Sequence, residues 1–397
     1  MKRAVFFLLA VLFAGGYACE GQGSKFDYRA LPKAYMAGDS PEFRAEAVTL
    51  MGKAFDLTTL LPPGYVKDGS VDYTSYLQAG IDKHETVVFP DFPVLINAKG
   101  LQMRSNSNLV FKPGAKLLLA PNDQERYSML SITGVENVKV YYPVLVGDRD
   151  KHQGNSGEWG MGIDIRSSQN VSIIHPVISK CWGDGICIGQ LKLKEVRPDV
   201  KTFPVQNIAI YNAQLDYNRR NGISVGCVNG LKIIKPVISN SYGTSPMTGI
   251  DIEPNSNRDF VDNIEIDNPI TFNNAQHGIS VHLSALPGQQ AREVNCSIKN
   301  HIDDGSQIGF FISGYKEKYD NIAGVQPLTG NIDVSNPVWK NNKIPFRNGK
   351  SNGYSPAVKF SGVSVMKTSA DGRTERNSNY IMEMKKSLTQ EKKFSVQ

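Results

Sequence analysis

The sequence predicts an all-β chain wound as a parallel β-helix, and three observations carry that reading. A motif of Gly, an aliphatic residue, one free position and then Ile or Val keeps returning. It reads Gly162-Ile-Asp-Ile, Gly185-Ile-Cys-Ile, Gly222-Ile-Ser-Val, Gly249-Ile-Asp-Ile and Gly278-Ile-Ser-Val, with Gly309-Phe-Phe-Ile as an aromatic variant. The spacings of 23, 37, 27, 29 and 31 residues fall in the range of stacked repeats. A second series, Pro143, Pro176, Pro236, Pro269 and Pro337, lies between these heads beside short apolar strands, with Ala213 and Ile302 in the same place in two further turns. Asn- and Gly-marked turns, and no helical periodicity within the repeats, complete the pattern. One coil of such a solenoid cannot bury its own apolar side, so the Ile and Val columns must stack on the next coil.

Taken from the N-terminus, residues 1–18 read as a signal peptide. Met1-Lys-Arg is the positive start, Ala4 to Ala14 the apolar stretch, and Gly16-Tyr-Ala18 a small-residue cleavage site. Cleavage after Ala18 leaves Cys19 first, where a bacterial lipoprotein carries its lipid. The expected location is therefore outside the cytoplasm: secreted, periplasmic or held on the outer membrane through Cys19. Residues 19–55 read as irregular. Residues 56–122 read as an N-terminal cap, with an amphipathic helix over Asp68 to Asp82 followed by strands at Thr86–Phe89, Val94–Ile96, Leu109–Phe111 and Lys116–Leu119. Residues 123–365 are the coils, and 366–397 a charged C-terminal tail. The four cysteines after Cys19 have neither metal nor disulfide spacing and read as small buried hydrophobes.

The net charge of +6 says little about partners. The leader carries Lys2 and Arg3, and the tail has 7 basic against 4 acidic residues, so the body is close to neutral. No nucleic-acid partner is expected. The phosphate-binding Gly-rich loop, the His-Glu-x-x-His motif and the Gly-x-Ser-x-Gly elbow are all absent from the sequence.

The helix followed by Thr86-Val-Val-Phe-Pro resembles the opening of the pectin-lyase-like superfamily of right-handed parallel β-helices, which includes pectate lyases, polygalacturonases and phage tailspike depolymerases. The resemblance covers roughly residues 65–345. Right-handedness follows from it and from the general bias of parallel crossovers. The densest stretch, Gly162-Ile-Asp-Ile, Asn170-Val-Ser-Ile and Trp182-Gly-Asp184-Gly-Ile-Cys-Ile, is similar to the polygalacturonase core. That family carries Asn-Thr-Asp, Gly-Asp-Asp and Gly-His-Gly before successive heads. Here Met161 stands in place of the first Asp, Asp184 is kept, Gly185 replaces its neighbour, and Asn221 replaces the His. An inverting glycosidase needs an acid and a water-activating carboxylate. At these positions the resemblance implies only the acid.

Strand geometry offers a second place. In each head the aliphatics point inward, so the residues between and after them form two outward columns. The first reads Asp164, Cys187, Ser224, Asp251, Ser280 and Phe311; the second reads Arg166, Gly189, Gly226, Glu253, His282 and Ser313. With coils about 4.8 Å apart, Asp251, Glu253 and His282 should cluster above a shelf made by the two glycines. The chemistry expected there is β-elimination of a uronate-containing, anionic polysaccharide. His282 would be the base, Arg219 or Arg220 the neutraliser of the uronate, with Lys180 a weaker choice. Asp184 marks the rival, hydrolase-like site. Calcium is an alternative neutraliser, held by Asp148, Asp150, Glu158 and Asp164, most of them in the rhythm-breaking loop 147–160. Trp159, Trp182 and Tyr217 are candidate sugar platforms. A glycoside hydrolase, a non-catalytic glycan-binding or adhesion protein, and a ligand-free surface module stand as the alternatives.

Overall fold

The protein is described here from a computed structural model, which covers residues 26–192, 201–313, 323–349, 354–388, 391 and 393–397. The leader and Cys19 lie outside the described residues. Three long sheets of 12, 11 and 9 strands run along the molecule, and each strand pairs with its counterpart one coil away. The chain passes through the first, second and third sheets in turn, which makes a parallel β-helix. Among the described residues all strand pairings are parallel except the terminal one between Ser364–Thr368 and Thr374–Arg376, and an isolated antiparallel bridge joins Gly288 to Gln326.

Stacking follows the repeat register. In the third sheet Ile163, Ile186, Ile223, Ile250 and Ile279 pair in succession, and Phe310 continues the column. Each of these six is 0% exposed, so the ladder is a dry interior wall. The second sheet starts each strand after the proline series, whose carbonyls accept from the coil above: Val177 N–H on Pro143, Gln214 on Pro176, Ile270 on Pro236 and Ile302 on Pro269. Val338 N–H instead finds the carbonyl of His301. His301, not Ile302, therefore holds the proline place, and the register of this strand is one residue from the expected one. The next residue but one, Asp303, points into the solenoid with 0% exposure, where the other coils place Ile178, Leu215, Ile238 or Trp339.

Outside corners are held by asparagines. Asn137, Asn170 and Asn207 take φ of 59°, 55° and 55°, a left-handed conformation that Asn tolerates well. Each donates its amide to the Asn below, at 2.8, 2.9 and 3.0 Å, starting from Asn106. The turn that bends the chain thus also ties neighbouring coils together.

The helix Thr74–Lys83 closes the N-terminal end with Leu77 and Ile81 buried, and starts later than the sequence suggested because Asp72 caps the backbone of Thr74. Coil strands begin at Thr86–Phe89, already paired with Ser107–Phe111, so much of residues 56–122 belongs to the solenoid itself. Two segments expected to be irregular are structured. Residues 41–51 form the helix Pro41–Met51, whose Ala47 packs on Val88, Val110, Tyr141 and Ile174. The stretch before it crosses the coils lengthwise: Arg29 donates to Asn273 Oδ1 and Gly305 O, and Tyr35 to Asp304. At the other end the helix Ser378–Leu388 buries Met384 and Leu388, and Phe394–Val396 pairs with Val358–Phe360 as the last rung of the first sheet. The charged tail is a cap that covers an otherwise open edge.

Replacing Ile250 with Asp should abolish cooperative folding or cost several kcal/mol, because an unpaired carboxylate enters the dry ladder. Ile250→Val should cost only about 0.5–1.5 kcal/mol. Urea unfolding of the two variants checks this, and equal midpoints would contradict the inward register of Ile250.

Candidate active site

The first outward column of the third sheet assembles as its spacing predicts. Asp164 pairs with Cys187, Cys187 with Ser224, Ser224 with Asp251, Asp251 with Ser280, and Ser280 with Phe311. Above these strands lies a cleft of about 860 Å³ that runs along the solenoid. Arg126 and Trp159 line one end of it, and the loop Asn255 to Asp259 lines the other. The guanidinium of Arg126 sits 4.6 Å over the Trp159 ring. Gln190 donates to Asp259 at 2.5 Å and so ties the loop to the strand Ile186–Gly189.

Three carboxylates meet in the floor of this cleft. Asp184 is 0% exposed; both its oxygens accept from Arg220, at 3.0 and 3.2 Å, and one accepts the Asn221 backbone N–H at 3.0 Å. The same Arg220 nitrogen reaches Ser224 Oγ at 3.2 Å, and its Nε lies 3.4 Å from Glu158. Asn221 donates to Ser224 at 2.9 Å and to Asp251 at 3.4 Å. Asp251, 2% exposed, lies on the strand Ile250–Ile252, with half-buried Glu253 two residues on. Burial first, and then the negative charge of Glu253, push the Asp251 carboxyl up to about 8, against the pull of Arg220. At neutral pH Asp251 therefore keeps its proton, and the cleft presents a neutral acid beside a second carboxylate.

Several expected site residues lie elsewhere. His282 does not line the cleft: its Nδ1 is 2.7 Å from Ser313 Oγ and its Nε2 2.8 Å from Ser284 Oγ, so both ring nitrogens are engaged. Arg219 stacks 3.8 Å over Trp182 and donates to the carbonyls of Gly157 and Trp182, which makes it a clamp on the 147–160 loop. Trp182 itself packs on His152 with ring centroids 4.0 Å apart. Tyr217 lies beneath Arg149 at 3.7 Å and meets the edge of Tyr28, and Lys180 pairs with Asp150 at 2.6 Å. None of these four lines the cleft, whereas Arg220, Trp159, Asp164, Asp184, Asp251 and Glu253 do.

The calcium set does not converge. Asp148 is 3% exposed and satisfied by Tyr127, Asn122 and His152. Asp150 is held by Lys180, Glu158 by Arg220 and Asp164 by Arg166. Among the described residues no group of three or more His, Cys, Asp or Glu side chains is placed to hold a metal ion. Each of these acids has a partner of its own, mostly from the coils, which spacing alone does not reveal. Conversely, Arg126, Arg166 and the Asn255–Asp259 wall were not picked out as site residues. The Pro254-Asn-Ser-Asn-Arg-Asp stretch, a turn-rich break after a head, was the available signal for that wall.

No family model matches the chain. Two proteins of Bacillus subtilis (strain 168) are related over part of it. The SPβ prophage-derived protein YorA is 30% identical over 163 residues, 39% of this chain and 28% of YorA. The protein YclG is 29% identical over 216 residues, 48% of this chain and 36% of YclG. The matches thus span about a third of those relatives' lengths. Among solved structures, the polygalacturonase of Erwinia carotovora ssp. carotovora superposes with a TM-score of 0.57 at 14% identity, covering 76% of this chain and 85% of that one. The fold is that of the pectin-lyase-like β-helices. A tailspike protein of E. coli bacteriophage HK620 in complex with a pentasaccharide gives 0.55 at 13% identity, over 81% and 58%. An iota-carrageenase complexed to iota-carrageenan fragments gives 0.54 at 11%, over 72% and 73%. At these identities the likeness is one of fold alone.

Removing the cation from this floor should be costly. Arg220→Leu leaves Asp184 buried without its partner and should lower stability by about 3–5 kcal/mol. Adding Asp184→Leu should restore part of that loss, because the stranded charge goes with it. Denaturant midpoints of the double-mutant cycle test this, and additive losses would show that the pair does not act as a unit.

Proposed function

We propose that the third-sheet cleft is the active site of a polysaccharide hydrolase. Asp251 is its general acid and Glu253 the carboxylate that activates water. The observation that carries this reading is the pair itself: a carboxyl kept neutral by burial and by its neighbour, next to a second, more accessible carboxylate in one open cleft. In the reaction the Asp251 proton passes to the glycosidic oxygen as the C–O bond breaks. Water adds to the anomeric carbon and gives its proton to Glu253. Arg220 offsets the negative charge of Asp184 and Glu158 and that left on Asp251 when its proton departs. Trp159, stacked under Arg126, offers an apolar face for a sugar ring.

The β-elimination suggested by the sequence would need a base in the cleft, and His282, its intended base, is committed to two serines outside it. Structural neighbours that hold a pentasaccharide or carrageenan fragments support a sugar polymer as the ligand. With residues 1–18 acting as a leader, the enzyme would work outside the cytoplasm of a bacterium, secreted, periplasmic or anchored by a lipid on Cys19.

Incubation with a panel of polysaccharides should release new reducing ends without the ultraviolet-absorbing unsaturated products of a lyase. Asp251→Asn and Glu253→Gln should each lower kcat by roughly a hundredfold or more while leaving the melting temperature of a folded protein. His282→Ala should leave the rate within about twofold. Because Asp251 acts in its protonated form, kcat/KM should fall as pH rises through about 8. Unsaturated products, or an Asp251→Asn variant as fast as the parent, would overturn the assignment.

A further inference from the structure

Two glycines of the cleft floor are not demanded by the backbone around them. At the heads of the repeats the demand is plain: a Cβ on Gly162, Gly185, Gly222, Gly249, Gly278 or Gly309 would fall 2.5–2.8 Å from a backbone carbonyl oxygen. Gly189 and Gly226 meet no such wall. Neither has a positive φ, and no backbone atom lies within 3.4 Å of the Cβ either would carry. What a Cβ would meet is the tip of a polar side chain: Arg166 NH1 at 3.1 Å over Gly189 and Asn255 Nδ2 at 3.2 Å over Gly226. The bare backbone therefore forms a floor two rungs wide, overhung by two nitrogen donors.

The arrangement around that floor is directional. Arg166, Gly189, Gly226 and Glu253 occupy successive rungs of one column, so Arg166 stands three coil steps, about 14 Å, from Glu253. That length fits two to three sugar rings laid along the floor. Arg166 is fixed in place: its Nε donates to Asp164 at 2.7 Å and its NH2 to Cys187 Sγ at 3.0 Å. These two anchors leave NH1 as the nitrogen presented to the floor. A guanidinium held from behind in this way suits a carboxylate or sulfate oxygen better than a neutral hydroxyl, since charge-assisted bonds are roughly twice as strong as neutral ones. With Asp251 neutral, the described residues of the cleft lining also include five cations, Arg126, Arg166, Lys192, Arg220 and Arg258, against four anions, Asp164, Asp184, Glu253 and Asp259.

We infer that Gly189 and Gly226 are the floor of a sugar subsite and that Arg166 reads an anionic substituent, a uronate carboxylate or a sulfate ester, on a ring two or three positions from the bond at Glu253. The inference deepens the hydrolase reading and rests on the same cleft, but its test is binding and does not require turnover.

The probes are polygalacturonate, alginate and iota-carrageenan, each paired with its neutral counterpart (methyl-esterified or desulfated). Retardation in affinity gels measures binding by the full-length Asp251→Asn protein, so that no probe is consumed. At least one acidic polymer should bind, and its neutral counterpart roughly tenfold or more weakly; the uronate and sulfate arms tell which anion is read. Adding Arg166→Gln should remove that difference, and Arg166→Lys should recover only part of it. Gly189→Val should weaken acidic and neutral forms alike by filling the floor. Binding by none of the acidic polymers, or an Arg166→Gln variant that keeps the preference, overturns the inference. A preference lost in Arg166→Gln while Asp251→Asn still cleaves would leave Arg166 in its role and remove Asp251 from its own.

Discussion

The interaction on which the rest depends is the in-register stacking of aliphatic side chains inside the coils. Ile163, Ile186, Ile223, Ile250 and Ile279 occupy one column with no exposure, and a one-residue slip in any coil would turn an Ile outward and its polar neighbour inward. The same constraint fixes the outside. Once the inner column is in register, every outward side chain stands directly above the matching one of the previous coil. A cleft floor with Asp164, Cys187, Ser224 and Asp251 in file is therefore a consequence of the packing, and chemistry can be altered rung by rung without disturbing the core.

That coupling explains what was legible in the sequence. The heads recur often enough to reveal both faces of the third sheet, so Asp251 beside Glu253 and the glycine shelf could be placed without a structure. The choice of His282 failed for a reason that columns hide. A column gives each residue a neighbour above as well as below, and His282 turned to Ser313 and Ser284. The loop 147–160 failed more broadly, because a segment outside the repeat has no register from which partners can be deduced. Asp148, Arg219 and Trp182 are all engaged there in holding that loop to the coils. Residues 26–51 were unreadable for a related reason: they lie across coils, and their contacts with Asn240, Asn273 and Asp304 are separated by more than 200 residues in sequence.

The second sheet shows how far the interior tolerates an exception. Its strand Ile302–Asp304 turns Asp303 inward, yet the carboxylate accepts from Thr271 at 2.6 Å and Ser306 at 2.7 Å, and Asn342 also donates to it. His301, equally buried, meets the Thr271 hydroxyl at 2.7 Å. Burial raises Asp303 to about 7 and lowers His301 to about 3, so the imidazole is neutral in the stack and the carboxyl carries only part of a charge at neutral pH. The bonds to Thr271, Ser306 and Asn342 and this reduced charge lower the cost of burying the cluster, although His301 Nδ1 and Asn342 Oδ1 are left without a partner among the described residues.

The same logic accounts for the departures from the polygalacturonase pattern. Met161 contributes its sulfur to the backbone N–H of Asp184 at 3.4 Å. Asn221 spends its amide on Ser224, Asp251 and the backbone of Thr248. Both side chains brace the floor, and Asp184 anchors Arg220. Asp184 is held by Arg220 and the Asn221 backbone, and Asp251, two coils further along, lines the same cleft without a cation bonded to it among the described residues. Arg220, bonded to Asp184 and pulling the Asp251 carboxyl down against its burial, links the two acids of the floor.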